Sequence, residues 1–122
     1  MKIVSQLVVL VFSICFMSCN DADQMKLIKG KWKAVEWSVN GNPNANPVAG
    51  VNFQFNEDET YEYNNSSLHE EGTYKVQGGH LFTTPKGELE ISVEITKLTV
   101  DTLEFNMSRS GTPETMILVK EN

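Results

Sequence analysis

Two histidines, two runs of carboxylates and a set of aromatic residues at alternate positions are the groups in this 122-residue chain that could do chemistry. A histidine that works as a base, or as a metal ligand, needs partners at fixed spacing. Neither an H-E-x-x-H nor a G-x-S-x-G pattern occurs. His69 and His80 each border a strand-like run, and a hairpin through Gly78-Gly79 places His80 beside Val76 or Gln77 with His69 far down the strand. A two-histidine metal site is therefore not expected. Glu57-Asp58-Glu59 and Glu70-Glu71 offer oxygens that could bind calcium, but acids in turns of an acidic surface are the plainer reading. The sequence thus predicts no catalytic residue, no metal, no cofactor and no enzyme.

The aromatic set stands above background. Trp37, Phe53, Phe55, Tyr61, Tyr63, Tyr74 and Phe105 fall on the apolar faces of strand-like runs, most of them early and adjacent. As core, each contributes about 1.5–3 kcal/mol by burial. As the wall of a pocket, the same residues hold a small apolar ligand, and the tyrosine hydroxyls then need partners or orient that ligand.

These side chains must be positioned by strands, because apolar residues recur at every second position in short runs. Glu88-Leu89-Glu90-Ile91-Ser92-Val93-Glu94-Ile95 is the clearest case, with four apolar residues on one face and acids or serine on the other. Turn-forming residues separate the runs at 56–59, 64–67, 78–79, 85–87, 99–101 and 111–113. The reading gives eight strands near 31–39, 50–56, 59–64, 70–77, 80–84, 88–97, 102–109 and 114–120, preceded by a short helical turn that ends at Gly30. No run is helical enough for a crossover, so all connections are hairpins. An all-β, eight-stranded antiparallel up-and-down barrel buries the apolar face and removes the exposed edges. Strand one breaks the alternation, since Trp32 and Ala34 face one side while Val35, Trp37 and Val39 face the other, so either a bulge or a strand covered on both sides is needed. Residues 40–47 are too polar to be buried. They form the one long loop.

The N-terminus carries a different signal. Lys2 precedes an apolar block, interrupted by Ser5, Gln6 and Ser13, that ends at Ser18-Cys19. At about 15 residues it is short of the roughly 20 that a bilayer-spanning helix needs, and it fits a secretory signal. The block and its terminal cysteine resemble the lipobox of bacterial lipoproteins, with Phe16 at the usual leucine position. That resemblance implies residues 1–18 as a signal peptide, acyl chains on Cys19, and residues 19–29 as tether and helical turn before a domain at 30–122. Cys15 leaves with the signal and Cys19 is consumed by lipid, so no thiol remains for a disulfide. The acids after Cys19 resemble export signals of surface lipoproteins in Bacteroidota-type bacteria. The implied location is the outer membrane or cell surface, with the membrane leaflet left open.

Gly30-Lys31-Trp32, opening the first strand after a helical turn, resembles the Gly-x-Trp motif of lipocalins. With Gly72-Thr73-Tyr74 and residues 98–103, the chain is similar over about 25–122 to small lipocalin-like lipoproteins of the Bacteroidota type. The resemblance implies that Trp32 plugs the closed end of the barrel, that the 40–47 loop is a lid over the open end, and that a basic residue packs on Trp32. Arg109 completes that set with Gly30 and Trp32, and Lys120 is the alternative. It also implies binding of a small apolar ligand.

Charge narrows the partners. With 10 Lys+Arg against 16 Asp+Glu, the net charge of −6 gives no footprint for phosphate backbones, so no nucleic-acid partner is expected. An eight-stranded barrel is just wide enough either to fill itself with side chains or to hold one small ligand. The sequence supports two functions: a monomeric, envelope-anchored barrel that binds a small hydrophobic ligand, or a tethered module with a packed core that contacts protein or glycan through its outer surface.

Overall fold

The computed structural model describes residues 20–122, so the signal segment and Cys19 lie outside the described residues. Helix α1 (Asn20–Ile28) leads into eight strands: β1 (Gly30–Val39), β2 (Asn52–Phe55), β3 (Thr60–Asn64), β4 (His69–Gln77), β5 (His80–Pro85), β6 (Ile91–Leu98), β7 (Thr102–Arg109) and β8 (Thr112–Lys120). Each strand pairs antiparallel with the next, and β8 returns to β1 to close the barrel. Closure leaves no unpaired edge.

The irregularity of strand one resolves as a bulge. Ala34 pairs with Leu118 and Glu36 with Ile117, which leaves Val35 extra and 48% exposed. The inserted residue resets the alternation, so that Trp32, Ala34 and Trp37 all face inward. A second shift, between Ile95 and Lys97, gives β6 a similar irregularity against β7.

Strand six begins later than the alternation at 88–95 suggested. Pairing between β5 and β6 stops at Thr83↔Ile91. The chain turns through Lys86 and Gly87, with Glu88 N–H donating to Pro85 O, and Pro85 has no N–H with which to extend the ladder. Without a partner strand, Leu89 stays in solvent at 88% exposure.

Side chains from all eight strands fill the lower barrel. Ile28, Trp32, Phe55, Tyr61, Leu81, Leu103 and Leu118 are each 2% exposed or less. This core runs from residue 28 to residue 118 and the ring of strands closes within 30–120, so residues 20–122 hold a complete folding unit. The hairpin order places α1 and the β2–β3, β4–β5 and β6–β7 turns at one end of the barrel, and the other four connections at the opposite end. Gly78 N–H donates to Asp21 Oδ1 at 3.0 Å, which ties α1 to the β4–β5 turn.

Candidate functional site

The two ends of the barrel differ chemically. At the helix end, Trp32 is fully buried and its Nε1–H donates to Ile28 O at 2.7 Å. Lys120 lays its ammonium 4.5 Å from the centroid of the Trp32 ring and donates to the carbonyls of Leu27 and Lys29. Glycine is favoured at position 30. A Cβ at this position would lie 2.7 Å from Lys120 Cε, and its φ of +125° is one that other residues rarely adopt. Burial holds the Lys120 ammonium below its usual range.

Above this plug, four of the seven aromatic residues, Phe55, Tyr61, Tyr74 and Phe105, belong to the buried core. Phe55 sits 4.9 Å from Tyr74 and 6.5 Å from Tyr61, ring centroid to centroid. Tyr74 donates its hydroxyl to Asn56 O at 2.9 Å, and its pKa is pushed up to about 12 by burial and by the nearby charges of Glu57, Glu59 and Asp58. The Tyr61 hydroxyl donates to Glu70 Oε2 at 2.8 Å, and burial, then Glu70, raises its pKa as well.

Phe105 and the three half-buried aromatics wall a cleft in the upper barrel. Trp37, Phe53, Tyr63 and Phe105 surround a space of about 110 Å³, together with Leu81, Val93 and Met116 deeper in and Glu70, Thr83, Ile91 and Met107 completing the wall. Every strand contributes at least one of these residues, so the cleft is the barrel's own lumen. Phe53 is its hub: it stacks 5.6 Å from Phe55, tilts against Tyr63 at 4.7 Å and meets Phe105 edge-on at 6.0 Å. A larger hollow of about 510 Å³ lies outside the lumen, along β3, β4 and β5 and the outward residues Glu62, Glu71, Thr73 and Thr84.

Two carboxyl groups at this end were not singled out by sequence reasoning as part of an aromatic site. Glu70 lines the cleft. Glu114 is 7% exposed, and its Oε1 accepts the Trp37 Nε1–H at 2.7 Å. The signal available in the sequence was parity, since Glu70 lies four residues from Tyr74 on the same face of β4, and Glu114 lies two from Met116 on β8.

A family model for the lipocalin-like domain matches residues 28–105, from the end of α1 into β7. The chain belongs to the lipocalin-like family. No curated protein matches it. In this lipocalin-like protein the tryptophan of Gly30-Lys31-Trp32 does plug one end, but Lys120 covers it and Arg109 does not. Arg109 ends β7 at the far end of the barrel, with its guanidinium carbon 6.0 Å from the Trp37 centroid. Antiparallel order decides the matter, because β7 and β8 finish at opposite ends.

The loop at 40–47 falls at the Trp37 end of the barrel, as the β1–β2 connection must. It turns back on itself through a Val39↔Asn42 bridge, with Asn40 and Gly41 both at positive φ, and none of its residues lines the cleft.

The sequence's candidate metal groups are distributed over the barrel. Glu70 and Glu71 are neighbours on one strand and so face opposite sides, one into the lumen and one outward. Outside, Glu71, Glu62 and His69 bring their ligand atoms within 4.8 Å of one another, with His69 Nδ1 2.6 Å from Asn64 Oδ1. His80 is elsewhere, at the β4–β5 turn beside Gly78 O. In the run 57–59, Glu57 pairs with Lys29 at 3.2 Å and Asp58 accepts from Thr60, whose hydrogen bonds hold the Asp58 carboxyl below its usual range.

Proposed function

We propose that this lipocalin-like protein is a bacterial envelope lipoprotein, acylated on Cys19, whose barrel mouth takes up a small apolar group without catalysis. The supporting observation is the asymmetry of the lumen: one end is plugged by Trp32 and Lys120, while the other keeps an aromatic cleft to which all eight strands contribute. Its volume of about 110 Å³ is below the ~300–1,000 Å³ of drug-sized sites. It is of the order of the ~150 Å³ cavity that accepts a benzene ring. The ligand portion held inside is therefore a single ring or a short alkyl chain. Acyl chains on Cys19 would directly precede α1 at the plugged end, so the mouth would face away from the bilayer, at the outer membrane or cell surface.

The test is a titration of residues 20–122 with 2-phenylethanol, followed through the two tryptophan indole N–H signals. Saturable movement of the Trp37 signal with Trp32 unmoved is the expected result; no saturable change in either counts against uptake. Acylation is tested separately by fatty-acid labelling of the full chain, which a Cys19→Ser variant should abolish.

A second reading keeps the anchor but not the ligand. The small cleft and the exposed Leu68 and Leu89, on connections around the mouth, with exposed Ile91 at the start of β6, favour a tethered module that contacts a protein or glycan at this end. In that case the titration fails while a partner is still retained by the anchored protein.

A further inference from the structure

The upper lumen is apolar on its walls but acidic at its polar points. Glu70 lines the cleft itself, on the inward face of β4. Glu114 occupies the inward position next along β8 from Met116, is more than nine-tenths buried, and holds the indole N–H of the tryptophan that walls the cleft. Glu114 is buried and Glu70 half-buried, so both carboxyl groups sit where water reaches them only in part. Each accepts one hydrogen bond from an aromatic neighbour, Tyr61 O–H to Glu70 and Trp37 N–H to Glu114. A carboxylate has room for about four. Among the described residues, neither forms an ion pair. Arg109 lies 6.0 Å from the Trp37 ring centroid, and Lys86 shares a second outer hollow with His69, Glu70 and Glu71 without pairing with Glu70.

We propose that the cleft selects a cationic amine on a small apolar body, the ring or short chain seated among Phe53, Tyr63 and Phe105 and the ammonium meeting Glu70, with Glu114 adding to the negative field. This rests on the cleft being a ligand site. An ammonium supplies what the aromatic walls do not: donors for the unused carboxylate lone pairs and a countercharge in a partly desolvated setting. The aromatic faces favour a cation as well. A carboxylate-headed ligand of the same size meets repulsion at the same position, and an alcohol donates one hydrogen bond there but brings no countercharge.

The experiment compares three probes of one size, 2-phenylethylamine, 2-phenylethanol and phenylacetate, on residues 20–122 at low and high salt. The amine is expected to bind at least about 10-fold more tightly than the alcohol, which corresponds to one charge-assisted hydrogen bond at ~1.4 kcal/mol per decade. Phenylacetate is expected to bind weakest, and added salt to narrow the gap. Glu70→Gln should bring amine and alcohol to within about 2-fold, and the amide oxygen can still accept from Tyr61. Glu114→Gln keeps the acceptor for Trp37 and should reduce the preference by a smaller factor. Equal binding of amine and alcohol, or a preference that survives Glu70→Gln, overturns the selectivity while leaving the cleft as a ligand site. Binding of none of the three overturns both.

Discussion

The ammonium of Lys120 rests 4.5 Å from the centre of the Trp32 ring, and the same nitrogen bonds the carbonyls of Leu27 and Lys29 at the end of α1. One side chain from the last strand thus closes the plug, binds the helix end and covers the first strand's tryptophan.

Removing that side chain should therefore cost more than removing the other cation that faces a tryptophan. Lys120→Ala loses a partly desolvated cation–π contact and two donors to backbone carbonyls, about 2–3 kcal/mol in all. Arg109→Ala should lose less than about 1 kcal/mol, because Arg109 is more than a third exposed and 6.0 Å from its ring. Urea denaturation of the two variants checks this. Equal losses would contradict the assignment of the plug.

Gly30→Ala should destabilise by roughly 1–3 kcal/mol through its positive φ and the 2.7 Å approach to Lys120 Cε. Combining it with Lys120→Ala relieves the clash but not the backbone strain, so the double variant should lose less than the sum of the two singles. A double-mutant cycle in denaturant measures the difference, and strict additivity would mean that the two residues do not interact.

Alkaline pH should unfold the barrel through its buried hydroxyls. Tyr61 and Tyr74 both have folded pKa values raised above the ordinary 10, Tyr74 to about 12. Above pH 10 the unfolded chain releases these protons first. The stability they contribute is complete below pH 10 and falls as pH rises towards 12. Lys120 acts in the opposite sense: its lowered value makes the fold gain stability as pH approaches 10.5 from below. The tyrosines prevail above pH 10, since there are two of them and only their effect continues past 10.5. Tyrosinate absorbance should accordingly rise together with the loss of folded structure; full ionisation of all three tyrosines in the folded state would contradict it.

How far the site was legible depended on what each residue's neighbours could reveal. The strand period fixed the barrel, and of the two readings that the broken alternation around Val35 left open, a bulge or a strand covered on both sides, the bulge is the one found. Alternation also overran at Leu89, because a period says which way a side chain would point but not whether a partner strand lies alongside. Trp32 was readable from its motif. The choice between Arg109 and Lys120 was not settled by the motif, since it turns on which strand ends lie together. Glu70 was read with Glu71 as a surface pair, although strand parity separates them. Glu114 drew no attention because a lone acid beside a turn carries no pattern. The split of the seven aromatics into four buried and three, Trp37, Phe53 and Tyr63, left half-buried at the cleft follows from stagger around the closed barrel, which no single strand records.

That split predicts unequal costs for equal truncations. Phe55→Ala removes a ring that is 1% exposed and should cost about 3–5 kcal/mol. Phe53→Ala removes a partly exposed ring at the cleft and should cost about 1–3 kcal/mol while enlarging the space beside Tyr63 and Phe105. Chemical denaturation of the two variants reads the difference, and a greater loss from Phe53→Ala would reverse the assignment of core and cleft.

The central claim, a lumen packed at the Trp32 end and open to an apolar guest at the Trp37 end, is tested most directly by crystals of residues 20–122 under xenon pressure. Xenon should occupy the space among Phe53, Tyr63, Phe105 and Met116 and be absent around Trp32, Phe55 and Leu118. A lumen without xenon at the Trp37 end, or with xenon at the Trp32 end, would contradict it.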